Sequence, residues 1–250
     1  MNPAAPVWRN LSGYYSLFAY TFSHLRVLRI APVRAVFMRQ VYYTGIEALG
    51  IISLIALLSG TLVITQTVAV MGADSEMMLR VLVWVVVREL GPLFAAILII
   101  ARSTPAIATE LALMKTHHEI DHLHYMGISA RDYLIVPRIV GVILCVMTLT
   151  FYFQIIAVLG GMGVSAFYQH ISFVEILGDF LEVARPLELI GTLAKSFFFG
   201  ASIAAISCFH GLMVEQAITE VPKAAIKAVM RSLLAVFAID AVFAYLSLAF

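Results

Sequence analysis

Residues 48–73 read ALGIISLIALLSGTLVITQTVAVMGA, and none of these 26 residues is charged. About 20 apolar residues in helical conformation are enough to cross the hydrocarbon core of a bilayer. The apolar positions are continuous and do not recur at the spacing of an amphipathic helix. This stretch therefore predicts a membrane-spanning helix, and it sets the class of the whole chain.

The composition agrees with that class. Of 250 residues, 62% are hydrophobic and 12% are charged, against roughly 45–50% and about 25% in soluble domains. The formal net charge is +1, so no global field would attract nucleic acid, and no basic stripe suggests a polynucleotide groove. A nucleic-acid partner is therefore not expected.

Five segments are predicted to cross the membrane, and together they form an all-α integral membrane protein. They are residues 46–71, 80–102, 134–158, 190–213 and 230–250. Charged residues inside three of them are Arg88, Glu89, Lys195 and Asp240. Charges at such depth are costly and usually functional, so these segments are expected to face a polar interior or a partner.

Orientation follows from the excess of Lys and Arg in cytoplasmic loops. With the N-terminus inside, only Arg80 and Arg185 of the 16 Lys and Arg residues lie outside, while Arg88 and Lys195 lie in the membrane. The sequence thus predicts a cytoplasmic N-terminus and an external C-terminus.

The remaining segments complete a single transmembrane domain over residues 1–250. Residues 1–44 mix aromatics with arginines, which predicts an interfacial elbow helix before a five-span core at 45–250. A cytoplasmic connection at 103–133 is predicted to be helical and to stop at Gly127. An external connection, 160–189, opens with Gly160 and Gly161 and contains an amphipathic stretch, Phe173 to Val183.

Two features of the sequence each suggest a possible function: a histidine motif and the charged residues inside the spans. His118, Glu119 and His122 spell H-E-x-x-H, the zinc-protease pattern, so an intramembrane metalloprotease is one alternative. Against it, no third ligand is evident, and the motif lies in a connection. Residues 191–196, GTLAKS, lack the spacing of a phosphate loop, so no nucleotide site is expected here. An ion-driven secondary transporter that uses Glu89, Lys195 and Asp240 as relay groups is a further alternative.

From Arg88 onward, the chain resembles the MlaE/YrbE permease family through a series of ordered motifs. These motifs are Arg88 to Pro92 (RELGP), Arg102, Glu110 to Met114 (ELALM), Glu119 to Gly127 (EIDHLHYMG), and Pro137 with Arg138. The resemblance continues through Lys195 to Asp240 and covers about four fifths of the chain. It departs at Leu113, where the family usually has glycine, and in the inner loop 214–228.

The resemblance implies a homodimeric permease subunit of an ABC transporter for phospholipid or a related lipid in the bacterial inner membrane. It also implies three partners: a cytoplasmic ATPase, an external MCE-domain protein of the MlaD type and a small STAS-type accessory protein. The chain itself is then expected to be non-catalytic, with ATP and Mg²⁺ bound by the ATPase. The C-terminus would face the periplasm.

Two groups of candidate site residues follow. Residues expected at the lipid are Arg88, Glu89, Thr61, Thr65, Gln66 and Asp240. Residues that the resemblance places at the contact with the ATPase are Glu110, Met114, Lys115, Glu119, Asp121, Met126 and Gly127. An arginine fork suits a lipid phosphate. Alternatively, Arg88 and Glu89 pair with each other or with Asp240 to fix helix packing, and the Thr and Gln side chains join helices.

Overall fold

The computed structural model describes residues 5–71, 80–169, 186–214 and 217–249, which form helices and short connections. The eight longer helices in these ranges are α1 (Ala5–Ser23), α2 (Ala31–Thr44), α3 (Leu49–Met71), α4 (Leu82–Thr116), α5 (Glu119–Tyr125), α6 (Val136–Gln169), α7 (Pro186–Leu212) and α8 (Val221–Ala249). Within the described residues, five helical segments are long and apolar enough to cross a membrane. The prediction of an all-α, five-span protein is confirmed.

Small residues let the spans pack closely. A Cβ on Gly60 of α3 would lie 2.0 Å from the carbonyl oxygen of Ala157 in α6, so the two backbones nearly touch. Gly200 of α7 also lies close to Ile143 of α6, since a Cβ there would be 2.8 Å from the Ile143 Cα. Because lipid gives no hydrophobic drive between helices, such close backbone contact is what holds membrane bundles together.

The N-terminal segment forms two helices, α1 and α2, joined by a 3₁₀ turn at Leu25–Arg29. α1 is tied to α7 because the Tyr14 hydroxyl lies 3.0 Å from His210 Nε2. Arg231 of α8 donates to the same hydroxyl at 3.2 Å. The segment predicted as one elbow helix is therefore bent and anchored to the bundle, and its location at the membrane interface stays a prediction.

Several predicted boundaries shift. α4 continues without a break to Thr116, so the start of the connection predicted at 103–133 is an extension of the second span. Gly160 and Gly161 lie inside α6 and pack against Leu57 and Leu82, whereas the sequence suggested the start of a loop. The fifth span begins at Val221. The amphipathic stretch predicted at 173–183 lies outside the described residues.

Candidate functional site

Three charged side chains from three spans meet within the bundle. Lys195 of α7 places its Nζ 2.6 Å from Glu89 Oε2 of α4 and 2.6 Å from Asp240 Oδ1 of α8. Glu89 accepts a hydrogen bond from Lys195, whereas the Asp240 contact is an ion pair outside hydrogen-bond geometry. We call Glu89, Lys195 and Asp240 the ion-pair cluster.

The three side chains of the ion-pair cluster differ in solvent exposure. The Lys195 side chain is 4% exposed, that of Asp240 is 18% exposed, and that of Glu89 is 34% exposed. When all three are ionised, two negative charges surround one positive charge. A buried ammonium needs such partners, because desolvation without them costs several kcal/mol. The cluster therefore carries an excess carboxylate toward its more open side.

The local backbone beside the cluster is unusual. Residues Leu82–Leu90, the first part of α4, form a π-helix, in which a carbonyl accepts from the N–H five residues later. In this pattern the Val87 carbonyl would accept a hydrogen bond from the N–H of residue 92. That residue is Pro92, which has no N–H. Gln154 of α6 supplies the donor, with Nε2 2.9 Å from the Val87 oxygen. The donor that Pro92 lacks is thus supplied by a side chain.

Gly91 leaves room for the Gln154 side chain to make this hydrogen bond. A Cβ at Gly91 would lie 3.1 Å from Gln154 Cγ, so a larger residue would press on the glutamine. Gln154 also donates to Thr192 Oγ1 at 3.1 Å, which fixes its amide between α4 and α7. The R-E-L-G-P motif therefore shapes the wide turn that carries Glu89 toward Lys195.

Arg88 does not take part in the cluster. It is half-buried, and within the described part of the chain it forms no ion pair with Glu89 or Asp240. The alternative in which Arg88 pairs with one of these carboxylates is therefore wrong, because both carboxylates form ion pairs with Lys195. Lys195 was absent from the predicted lipid residues, although its position as a lone lysine in an apolar span was the signal for it.

The polar residues of α3 are placed apart from the cluster. Thr65 donates to the Leu62 carbonyl of its own helix at 2.9 Å. Thr61 is half-buried, and Gln66 is exposed. No hydrogen bond in the described ranges joins any of the three to Glu89, Lys195 or Asp240. Their contact with lipid stays a prediction.

The predicted coupling residues fall on two elements. Glu110, Met114 and Lys115 belong to the last turns of α4. Glu110 pairs with Arg138 at 2.8 Å, and Lys115 Nζ donates to the Leu212 carbonyl at the end of α7 at 2.6 Å. These two side chains thus stabilise the bundle itself, whatever else they contact.

The remaining coupling residues lie on or just after α5, the short helix between two spans. Glu119, Asp121, Met126 and Gly127 are exposed. Gly127 has φ 74°, in the left-handed region, and it ends the helix as the sequence predicted. Tyr125, 84% exposed, adds an apolar surface beside the carboxylates. An exposed mixed surface of this kind suits a protein partner.

The histidines around α5 do not have zinc-protease geometry. The H-E-x-x-H pattern needs both histidines on one helix face, but His118 precedes α5 and has φ 59°. Its Nδ1 lies 2.9 Å from Asp121 Oδ2. In the described ranges, no group of three or more His, Cys, Asp or Glu side chains is placed to share a metal ion.

Comparison with known proteins agrees with this architecture. Residues 37–246 match the family model "Permease MlaE". A probable ABC transporter permease protein of Rickettsia conorii is 27% identical over 88% of this chain and 85% of its own length. One from Synechocystis is 31% identical over 60% of this chain and 57% of its own. The chloroplastic protein TRIGALACTOSYLDIACYLGLYCEROL 1 of Arabidopsis thaliana is 30% identical over 61% of this chain and 44% of its own. The match of the family model across most of the chain, together with five apolar spans, shows that this multi-pass membrane protein belongs to the MlaE permease family.

Proposed function

We propose that the chain is the non-catalytic membrane subunit of an ABC transporter that moves phospholipid or a related lipid between the membrane and an MCE-domain partner. The observation that carries the proposal is the ion-pair cluster, in which Lys195 joins carboxylates of two other spans. Charged residues within membrane spans are costly, pair with one another and usually mark the pathway of the transported molecule. The names of the relatives support both the ABC transporter and the lipid cargo. One group is named as ABC transporter permeases, and one protein is named after a galactolipid.

The chemistry at this end of α4 fits a lipid headgroup. Glu89 is the most exposed member of the cluster, and Arg88 precedes it in the same π-helical turns. A guanidinium that does not pair with a carboxylate can use its paired N–H donors to bind two oxygens of a phosphate. The cluster then holds α4, α7 and α8 together while Arg88 binds the phosphate.

The mechanism requires energy from a separate subunit. In our proposal two copies of the chain enclose a cavity for lipid, and a cytoplasmic ATPase binds ATP and Mg²⁺. The exposed face of α5, with Glu119 and Asp121, receives the movement of the ATPase. Closure then needs only a helix arrangement with two states that nucleotide biases. A small STAS-type protein completes the assembly.

The location proposed is the bacterial inner membrane. The excess of Lys and Arg favours a cytoplasmic location for the N-terminus, α5 and the Thr116 end of α4, and a periplasmic location for the C-terminus. The ion-pair cluster then lies toward the periplasmic side, where an MCE-domain protein would receive or deliver the lipid.

The test is to purify the tagged chain gently from its native membrane and to identify the proteins and lipids that accompany it. We expect a Walker-motif ATPase, an MCE-domain protein and bound phospholipid. Recovery of the chain without an ATPase, at full yield and with intact fold, would overturn the proposal.

The ion-pair cluster also supports a second candidate, an ion-driven transporter that uses Glu89, Lys195 and Asp240 as relay groups. Proteoliposomes separate the two functions. Lipid movement that needs ATP and ignores a pH gradient supports the ABC permease, whereas movement that follows a pH gradient without ATP supports the relay.

A further inference from the structure

A cavity lined by charged side chains lies at the opposite end of α4 from the ion-pair cluster. Its volume is about 490 Å³, within the range of small-ligand pockets. It lies between α2, the last turns of α4 and the start of α6. The charged and hydroxyl side chains that matter in its lining are Arg39, Tyr43, Arg102, Glu110, Tyr133 and Arg138.

The cavity contains a buried guanidinium with an unused donor. The Arg138 side chain is 4% exposed, and its Nη2 lies 2.8 Å from Glu110 Oε1. Its Nη1 is buried and has no hydrogen-bond partner in the described part of the chain. Because buried polar groups almost always have partners, this nitrogen favours a ligand that brings an acceptor oxygen.

The charges around the cavity favour an anion. Arg102 pairs with Glu47, and Arg138 pairs with Glu110. Arg39 instead lies over the ring of Tyr43, 5.8 Å from its centroid, and forms no ion pair in the described ranges. One positive charge is therefore in excess, and two tyrosines line the same space. A phosphate group, with several acceptor oxygens and at least one negative charge, matches this donor set.

The setting indicates where the phosphate comes from. α2 exposes Tyr42 and Tyr43 beside Arg39, and aromatic residues near arginines are typical of the headgroup layer. We propose that this cavity binds the phosphate of a membrane lipid headgroup through Arg39 and Arg138. Glu110 lies 21 residues after Glu89, about 30 Å along α4. The proposed site is thus separate from the ion-pair cluster.

The experiment measures binding of water-soluble dihexanoyl phosphatidylglycerol to the complex purified in detergent, by isothermal titration calorimetry. Arg39→Gln should weaken binding by about tenfold, the loss expected for a charge-assisted contact. Arg34→Gln removes an exposed arginine of the same helix that does not line the cavity, and it should leave the affinity unchanged. Because Arg39 is exposed, its replacement should not disturb folding.

Two further arms identify the source and the site. Inorganic phosphate should compete weakly, and equal binding of phosphate with the same dependence on Arg39 would overturn the lipid assignment. Equal affinities in Arg39→Gln and Arg34→Gln would overturn the site. Because the readout is binding and not transport, that result leaves the proposed function intact.

Discussion

Lys195 and Asp240, 45 residues apart in sequence, approach to 2.6 Å between Nζ and Oδ1. The same ammonium holds Glu89, so one side chain joins α4, α7 and α8. Loss of the lysine would leave two carboxylates close together without a counter-charge. The stability of the bundle and the chemistry of the proposed lipid site therefore meet at one residue.

We predict that Lys195→Met destabilises the purified protein by about 3–5 kcal/mol, the usual cost of removing one partner of a buried ion pair. Thermal unfolding in detergent measures this. The triple variant Lys195→Met, Glu89→Gln, Asp240→Asn should recover most of the stability, because no unpaired charge remains, but not lipid transport. An unfolding temperature of Lys195→Met equal to that of the parent would contradict the structure of the cluster.

Replacement of Arg88 tests the phosphate contact. Arg88→Ala should lower the amount of phospholipid that copurifies with the complex by roughly tenfold, because two charge-assisted hydrogen bonds are lost. Arg88→Lys keeps the charge but not the fork, so an intermediate value is expected. Lipid content and transport that are unchanged in both variants would remove Arg88 from the mechanism.

The exposed carboxylates of α5 should transmit force without binding lipid. In the complex, Glu119→Ala with Asp121→Ala should abolish the link between ATP hydrolysis and transport while bound lipid stays at the parent level. Glu220→Ala, which removes an exposed carboxylate just before α8, is the matched control. Full coupling in the double variant would show that α5 is not the contact with the ATPase.

Gln154 should stabilise the protein mainly through its hydrogen bond to the Val87 carbonyl. Gln154→Leu leaves the Val87 oxygen without a donor, at a cost of about 1–3 kcal/mol. Pro92→Ala restores a backbone N–H at the position that π-helical bonding requires, so the double variant should lose less stability than the two single losses added. A double-mutant cycle on thermal unfolding measures this coupling. Strict additivity would refute it.

The contact between α3 and α6 makes a paired prediction for two glycines on one helix. Gly60→Ala would bring Cβ 2.0 Å from the Ala157 carbonyl oxygen and should destabilise the protein by at least about 1–3 kcal/mol. Gly50→Ala meets nothing within 4 Å and should be neutral or slightly stabilising. Comparison of their unfolding temperatures with the parent decides the matter, and equal effects would argue against close packing at Gly60.

The local pattern of the sequence was enough to predict the fold class. An uncharged run such as 48–73 is long enough to span a bilayer whatever its neighbours are, because transfer into lipid depends on the sum of its own side chains. The motifs from Arg88 to Arg138 likewise predicted the family from ordered residues. The stop at Gly127 could also be predicted, since the end of a short helix depends on one residue that tolerates positive φ.

Helix ends and partners within the bundle were decided only by tertiary structure. Gly160 and Gly161 were predicted to open a loop, yet they remain helical because α3 and α4 pack directly on them. That Glu89 would pair with Lys195 and not with Arg88 depends on how α4 and α7 are rotated and aligned. Hydropathy fixes that a helix lies in the membrane, but it has no information about rotation or depth. Those two quantities come from close packing and the pairing of charges between segments far apart in the chain.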